Sequence, residues 1–149
     1  TSPTVKRYID FLEEAFLIKR LFPYSWNMKK RLVKSPKIFL NDTGILHYLL
    51  GINDFESLTG NPKIGSSWES FVFNQIMAIK KGNYNIFFYR TQNGAEVDLV
   101  LTKGQIVVAT AEVKYSNSPH LSKGNYLAFE DLDAPVNYII TIFRINIDI

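Results

Sequence analysis

Two carboxylates and a lysine are spaced along this chain in a way that suits metal-assisted chemistry. Thirteen residues separate Asp98 from Glu112, and Lys114 follows two positions later. Both acids fall in segments that alternate like β-strands, with a short turn between them. Pairing of these strands would bring the carboxylates and the ammonium group together at neighbouring strand ends. Carboxylate oxygens suit Mg²⁺, and a nearby lysine can hold a water or stabilise a phosphoryl group.

The alternation places Glu96 on the face of Asp98, and Lys114 on the face of Glu112. Charges of this kind often lie solvated on a sheet face. Here, however, they interrupt apolar runs that are typical of strands buried on both faces, where a charge needs a partner. We interpret Glu96 as a charge at the rim of the site.

The pattern Asp98, Glu112-x-Lys114 resembles the PD-(D/E)xK phosphodiesterase core, the fold of many restriction and repair nucleases. The resemblance implies that Asp98 and Glu112 are catalytic metal ligands, with the carbonyl of Val113 as a third oxygen. Lys114 would orient the attacking water or stabilise the pentacovalent phosphate. The expected cofactor is Mg²⁺, with Mn²⁺ as a substitute.

Glu69 is a further candidate because it lies in the apolar stripe of a predicted helix, Ser67–Lys81. A carboxylate that points inward needs a metal, a base or hydrogen bonds. In related nucleases, a glutamate on this helix completes the metal site. The alternative is a capping box, in which Glu69 reaches back to the backbone of Ser66. The sequence leaves both interpretations open.

A basic run, Lys29-Lys30-Arg31, lies between two predicted strands, Leu17–Phe22 and Lys37–Leu40. The preceding stretch, Thr4 to about Lys19, has the periodicity of an amphipathic helix. A helix followed by a basic hairpin resembles the last helix and wing of a winged helix. Lys29, Lys30 and Arg31 are therefore candidate nucleic-acid contacts, and the alternative is a charged edge that resists aggregation. Arg90, at a strand end, is expected to meet phosphate or to pair with Glu96 or Asp98.

The remaining elements follow from periodicity and turn signals. Asp42 is predicted to cap a short helix through Leu50, and Asn53–Lys63 is predicted to be a linker. The order helix, three strands, helix, strand is expected next, which is the order of the nuclease core. These predicted elements are Ser67–Lys81, Tyr84–Arg90, Ala95–Leu101, Gln105–Lys114, Leu121–Asp131 and Val136–Phe143.

The predicted fold class is α/β (α+β), with a restriction-endonuclease-like core after the end of a winged-helix-like segment. Residues 1–52 would form that segment and a connecting helix, and residues 60–149 the nuclease-like domain. The helix Ser67–Lys81 is apolar nearly all round, so we expect it to be buried.

Composition narrows the class of protein. The chain has 149 residues, of which 46% are hydrophobic, enough to bury a core in one domain or two small ones. The net charge of +3 is too small to indicate a nucleic-acid partner by itself. Cysteine is absent, which excludes disulfides and thiolate metal sites and fits a reducing cytoplasm. No apolar run approaches the roughly 18 residues of a membrane span, and His47 and His120 lack the spacing of zinc ligands.

Several longer phrases together resemble one family, the C-terminal domain of unknown function that follows the P-loop domain in prokaryotic AAA-type ATPases. The resemblance covers nearly the whole chain. It implies a prokaryotic, cytoplasmic protein whose own N-terminal ATPase domain is a partner and is absent here. The phrases are Tyr8-Ile9-x-Phe11-Leu12-Glu13-x-Ala15-Phe16, Pro23-Tyr24-Ser25-x-Asn27, Lys34-Ser35-Pro36-Lys37, Asp42-Thr43-Gly44, Trp68-Glu69-x-Phe71-Val72, Tyr89-Arg90-Thr91-x-x-Gly94-Ala95-Glu96-Val97-Asp98 and Ala111-Glu112-Val113-Lys114.

Two functional classes follow. The first is metal-dependent hydrolysis of DNA phosphodiesters, coupled in the full protein to ATP-driven motion. The second is a non-catalytic module that binds nucleic acid or protein on behalf of the ATPase. No P-loop phosphate motif occurs in these 149 residues, so we do not expect this part of the protein to bind ATP by that motif.

Overall fold

A computed structural model describes residues 2–25 and 32–142, which form a mixed α+β structure. The predicted nucleic-acid contacts Lys29, Lys30 and Arg31 lie outside the described residues. The elements are α1 (Pro3–Glu14), β1 (Ile18–Leu21), β2 (Lys37–Leu40), α2 (Thr43–Leu49), α3 (Phe55–Thr59), α4 (Ile64–Ile79), β3 (Tyr84–Arg90), β4 (Glu96–Lys103), β5 (Ile106–Lys114), α5 (Lys123–Leu132) and β6 (Asn137–Thr141). None of the described helices is both long and apolar enough to cross a bilayer.

The chain divides into two compact units. The first contains the described residues up to Leu21 and the segment Pro36–Ala78. The second contains the described parts of Phe22–Ser35 and of the chain from Ile79 onward. These units have different bounds from the predicted domains 1–52 and 60–149, because the connection between β1 and β2 joins the second unit and most of α4 joins the first. The predicted domains remain an interpretation of the sequence.

In the first unit, α1 ends earlier than its periodicity predicts. Ser2 caps the helix through a bond from Val5 N to its hydroxyl oxygen, but the helix ends at Glu14 instead of near Lys19. The reason is Phe16, which adopts a left-handed backbone conformation with φ of 58°. This conformation is costly for a non-glycine residue and stops a right-handed helix. The chain can therefore turn at once into β1.

Strands β1 and β2 pair antiparallel, with Ile18 opposite Leu40 and Leu21 opposite Lys37. The predicted bounds of β2, Lys37–Leu40, are confirmed. The aromatic rings of Phe39 on β2 and Phe73 on α4 stack with centroids 4.4 Å apart. The buried apolar residues of this unit are Ile18, Leu21, Phe39, Val72 and Phe73.

The helices of the first unit follow their predicted caps only in part. Asp42 caps α2 as predicted, through bonds from Gly44 N and Ile45 N to Oδ1. The predicted linker contains the short helix α3, because Asp54 accepts a hydrogen bond from Ser57 N and caps it. Helix α4 begins at Ile64, three residues before the predicted start.

The expectation that α4 is buried is confirmed for one face only. Phe71 is 43% exposed and Ile79 is 78% exposed, whereas the polar residues Ser67 and Ser70 are buried. The helix therefore buries a face that contains two serines, and it leaves part of its apolar surface open. One of these serines, Ser67, is hydrogen-bonded through Oγ to His47 Nε2 at 2.6 Å.

The second unit contains a four-stranded sheet in the order β3-β4-β5-β6. Strands β3, β4 and β5 are antiparallel neighbours, and β6 returns through α5 to lie parallel to β5. The predicted element order of helix, three strands, helix and strand is confirmed. The outer edge of β3 is covered by the chain itself, since Tyr24 N donates to Phe88 O at 2.7 Å and Val33 N donates to Arg90 O at 3.0 Å. Covering this edge removes a template for unwanted strand pairing.

Helix α5 packs on β4 to form the core of the second unit. Near its end, α5 is tied to β3 by Tyr89, whose buried hydroxyl group donates to Asp131 at 2.8 Å. Burial and the neighbouring Asp131 raise the pKa of Tyr89, so this hydroxyl keeps its proton and remains a donor. The core cluster consists of Tyr24, Tyr89, Ala95, Val97, Val100, Ala128 and Leu132.

Candidate functional site

Asp98 lies at an irregularity in β4. Phe87 pairs with Val100, but Tyr89, two residues further along β3, pairs with Val97, so β4 carries one extra residue here. Val97 and Val100 consequently face the same core cluster, although strict alternation would separate them. The alternation that we used for Asp98 therefore does not continue through Val100. Bulges of this kind redirect side chains and are common beside functional sites.

The carboxylates of β4 and β5 reach across to each other's backbone. Leu99 pairs with Ala111 in the β4–β5 ladder. Beyond this pair, Val113 N donates to Asp98 Oδ2 at 3.0 Å, and Asp98 N donates to Glu112 Oε2 at 3.4 Å. Side-chain oxygens thus take the place of backbone acceptors where the ladder ends. The structure brings Asp98 and Glu112 together at neighbouring strand ends.

Glu112 is buried beside a negatively charged residue, Asp98, and a positively charged one, Lys114. Its side chain is 5% exposed, and its Oε1 lies 2.7 Å from Lys114 Nζ. Burial, together with the charge of Asp98, raises the pKa of Glu112, although Lys114 acts in the opposite direction. Burial acts to lower the pKa of Lys114, but the nearby carboxylates outweigh it and raise that pKa. Lys114 therefore carries its positive charge at neutral pH.

Arg90 and Glu96 form the exposed rim of this group. The Arg90 guanidinium makes an ion pair with the Glu96 carboxylate, one of the pairings that the sequence allowed. Both side chains are partly exposed, at 43% and 34%. Glu96 therefore lies where a rim charge was expected.

Asn125 is a member of the site that the sequence analysis missed. It is 2% exposed, its Nδ2 donates to Glu96 O at 2.9 Å, and its amide acts to lower the pKa of Glu112 against the larger effect of burial. The available signal was the spacing Ser122-x-x-Asn125, which forms a capping box at the start of α5. That signal predicts a helix start, but not a long-range contact with β4 and β5.

Glu69 belongs to the first unit, where its carboxylate lies 2.7 Å from Lys37 Nζ. The alternative interpretation, a capping box with Ser66, does not apply, because α4 begins at Ile64 and Ser66 is inside the helix. The inward carboxylate has a cationic partner on β2 instead. Its predicted role in the metal site remains a prediction.

The oxygens of Asp98 and Glu112 form a donor set that suits a hard divalent cation. Over residues 2–25 and 32–142, no group of three or more histidine, aspartate or glutamate side chains is arranged as a metal site. A cation at this place would therefore depend on the two carboxylates, a backbone oxygen such as that of Val113, and water. Mg²⁺ commonly binds in this way, through one or two carboxylates and several waters.

Comparison with known proteins identifies the family. Residues 64–146 match the model of a domain of unknown function, DUF4143, and residues 1–56 match that of another, DUF8612. The chain belongs to the DUF4143 family. DUF4143 is known as a C-terminal domain of AAA ATPases. No solved structure matches the chain significantly.

Two mycobacterial relatives are similar to most of the chain. They are the uncharacterized proteins Mb2031c of Mycobacterium bovis and Rv2008c of Mycobacterium tuberculosis. Each is 40% identical over 129 residues, which is 87% of this chain. The chain spans only 29% of the length of these relatives.

Proposed function

We propose that the second unit is a nuclease-like domain that hydrolyses phosphodiesters with a divalent metal, in the C-terminal part of a cytoplasmic prokaryotic AAA-type ATPase. The observation that carries this proposal is that the carboxylates of Asp98 and Glu112 are buried close together, with the ammonium group of Lys114 beside Glu112. When both acids are ionised, two like charges lie close together away from water, which is costly. A divalent cation bound by both carboxylates would lower that cost.

Each residue has a distinct role in this proposal. Asp98 and Glu112 would hold Mg²⁺, or Mn²⁺ as a substitute, with the Val113 carbonyl as a third oxygen. When bound, the metal supplies an acidified water and positive charge beside the phosphate. Lys114, whose side chain is 35% exposed, can turn from Glu112 towards a phosphoryl oxygen and stabilise charge there.

DNA is the proposed substrate, and the ATPase domain of the same protein is the proposed partner. Arg90, 43% exposed at the rim, can exchange Glu96 for a backbone phosphate. The basic run Lys29-Lys30-Arg31 would add sequence-independent phosphate contacts. ATP-driven motion would then deliver the strand to the site.

The alternative is a nuclease-like module that binds nucleic acid or protein without cleaving. The ion pair between Lys114 and Glu112 favours it, because the lysine already neutralises one carboxylate without a metal. In this case the pair stabilises the strand ends, and binding depends on charges elsewhere.

A cleavage assay separates these functions. The protein, in its longest form with the ATPase, is incubated with labelled DNA and Mg²⁺, with RNA as a parallel substrate. We expect Asp98→Ala and Lys114→Ala each to abolish cleavage without weakening DNA binding. Lys103→Ala is the matched control, because Lys103 lies exposed at the end of β4 and has no proposed role.

Two results would argue against metal-dependent cleavage at Asp98 and Glu112. A wild type that binds DNA in a salt-sensitive manner but cleaves nothing supports the binding module. Robust cleavage that survives Asp98→Ala contradicts the proposed mechanism.

A further inference from the structure

Three helices of the first unit add nothing to its buried core. Among the described residues, none in α1, α2 or α3 is buried, and the buried apolar residues of this unit come from β1, β2 and α4. Amphipathic helices of a globular domain normally bury their apolar side. Here large apolar side chains on the three helices are exposed, including Tyr8, Phe11, Tyr48, Leu49 and Phe55. The first unit therefore has an apolar surface that the described residues leave uncovered.

Helix α1 is attached to β1 by its charged side. Arg20 on β1 donates through Nε to Glu13 Oε2 at 2.6 Å and through Nη1 to Asp10 Oδ1 at 2.8 Å. Its backbone N–H also donates to Glu13 Oε1 at 3.0 Å. With about 3.6 residues per turn, Tyr8 lies on the side of the helix opposite to Asp10 and Glu13, and Phe11 lies next to Tyr8. The contacts that attach α1 to β1 thus turn its apolar side outward.

The outward side of α1 has the shape and charge of a helix-docking surface. Thr4, Arg7, Tyr8 and Phe11 line a groove along it, and the two aromatic side chains are 67% and 64% exposed. Grooves between side chains accept the ridges of a second helix. Arg7 is exposed at the same groove, where its guanidinium group would bind a carboxylate. The surface therefore fits an amphipathic helix that carries an acidic residue beside its apolar side.

The size of the relatives indicates where such a helix comes from. The chain spans only 29% of the length of the two mycobacterial relatives, and DUF4143 is known as a C-terminal domain of AAA ATPases. A surface this apolar is typical of an obligate interface, which resembles a domain core cut in half. A segment of the same polypeptide reaches it at high effective concentration, without the entropy cost that a separate partner pays. These observations favour the same polypeptide over a second copy.

We infer that the side of α1 that carries Tyr8 and Phe11 is the docking surface for an amphipathic helix of the same polypeptide, outside residues 1–149, with a carboxylate opposite Arg7. The inference rests on the part of the proposed function that makes the rest of the polypeptide a partner. It does not involve Asp98 or Glu112. A protein that cleaves no DNA can still dock this helix, and a protein that fails to dock it can still cleave.

Photochemical cross-linking tests which segment covers α1. In the longest form of the protein, with the ATPase, Phe11 is replaced by the photoreactive aromatic residue benzoylphenylalanine, and linked peptides are identified by mass spectrometry. We expect a link to an amphipathic segment outside residues 1–149, in a product that keeps the mass of one polypeptide under denaturing conditions. The same replacement at Tyr126, which is 56% exposed on α5, is the control and should not link to that segment. A product of twice the mass, or a link to residues 79–149, would overturn the inference.

Hydroxyl-radical oxidation provides a second measurement that leaves the aromatic surface intact. In the same long form of the wild type, we expect Tyr8 to be oxidised several-fold more slowly than Tyr126, because the docked helix covers Tyr8. Arg7→Gln should increase the oxidation of Tyr8, since it removes the charge that the carboxylate meets. Lys6→Gln is the matched control, because Lys6 lies on the side of α1 that carries Asp10, and it should have no effect. Equal oxidation of Tyr8 and Tyr126 in the wild type would overturn the docking surface, and equal effects of the two substitutions would overturn the carboxylate opposite Arg7.

Discussion

The backbone N–H of Val113 donates to the carboxylate of Asp98 across the gap between β4 and β5, at 3.0 Å. In a regular ladder this donor would meet a backbone carbonyl. A side chain takes that position here, so the two strands are joined at the site by an acid that is also the proposed metal ligand. Substitution of Asp98 should therefore affect both the strand ends and the chemistry. Asp98→Asn keeps an acceptor and is the milder probe.

The first prediction concerns pH. Burial and the charge of Asp98 raise the pKa of Glu112 above its ordinary value of 4.5. A raised folded-state pKa contributes stability that is fully present below the unfolded value and is lost as the pH rises through the folded value. We expect the free energy of unfolding of the wild type to fall as the pH rises through this window. The free energy of unfolding of Glu112→Gln should fall less over the same range. Urea unfolding at a series of pH values measures this, and parallel curves for wild type and variant would refute it.

The second prediction concerns Glu69. Its ion pair with Lys37 is partly buried, with side chains 24% and 18% exposed. We expect Glu69→Gln to lower the free energy of unfolding by about 1 kcal/mol, as is usual for a lost charge-assisted bond that is partly screened. If Glu69 also completes the metal site, the same variant will bind Mn²⁺ more weakly than the wild type. The Mn²⁺ affinity of Glu69→Gln therefore decides whether Glu69 is a residue of the metal site.

The third prediction concerns Gly124. Alanine is normally better than glycine in a helix, by about 1 kcal/mol. At this position a Cβ would collide with the Gly94 carbonyl, so we expect Gly124→Ala to destabilise the protein by roughly 1–3 kcal/mol. Gly65→Ala in α4 is the control, because no atom lies within 4 Å of its Cβ position apart from its chain neighbours and its own helix backbone, so it should be neutral or stabilising. Stabilisation by Gly124→Ala would show that α5 does not pack on the turn that contains Gly94.

The sequence predicted well the elements whose ends carry turn signals. The bounds of Tyr84–Arg90 and Lys37–Leu40 are confirmed, because alternation stops at clear breaks in the pattern. The meeting of Asp98, Glu112 and Lys114 followed from a short turn between two alternating strands. The local sequence pattern was therefore sufficient to predict contacts between residues that are near each other in sequence.

Other features depend on distant contacts or on unusual backbone conformations. Phe16 ends α1 in a left-handed conformation that glycine or asparagine usually adopts, so its residue type gives no warning. The extra residue at Asp98 depends on how β4 pairs with β3. Asn125 belongs to the site because α5 folds back over β4 and β5. The local periodicity of the sequence predicts none of these three features.

A titration of Mg²⁺ followed by melting temperature tests the central claim most directly. A cation that binds only the folded protein stabilises it by roughly 2.7 kcal/mol at 100 times its Kd. We predict that the melting temperature of the wild type rises with Mg²⁺, and that Asp98→Asn and Glu112→Gln both lose this rise. Glu130→Gln, which removes an exposed carboxylate from α5, should retain it. A rise of equal size in all four proteins, or none in the wild type, would contradict a metal site at Asp98 and Glu112.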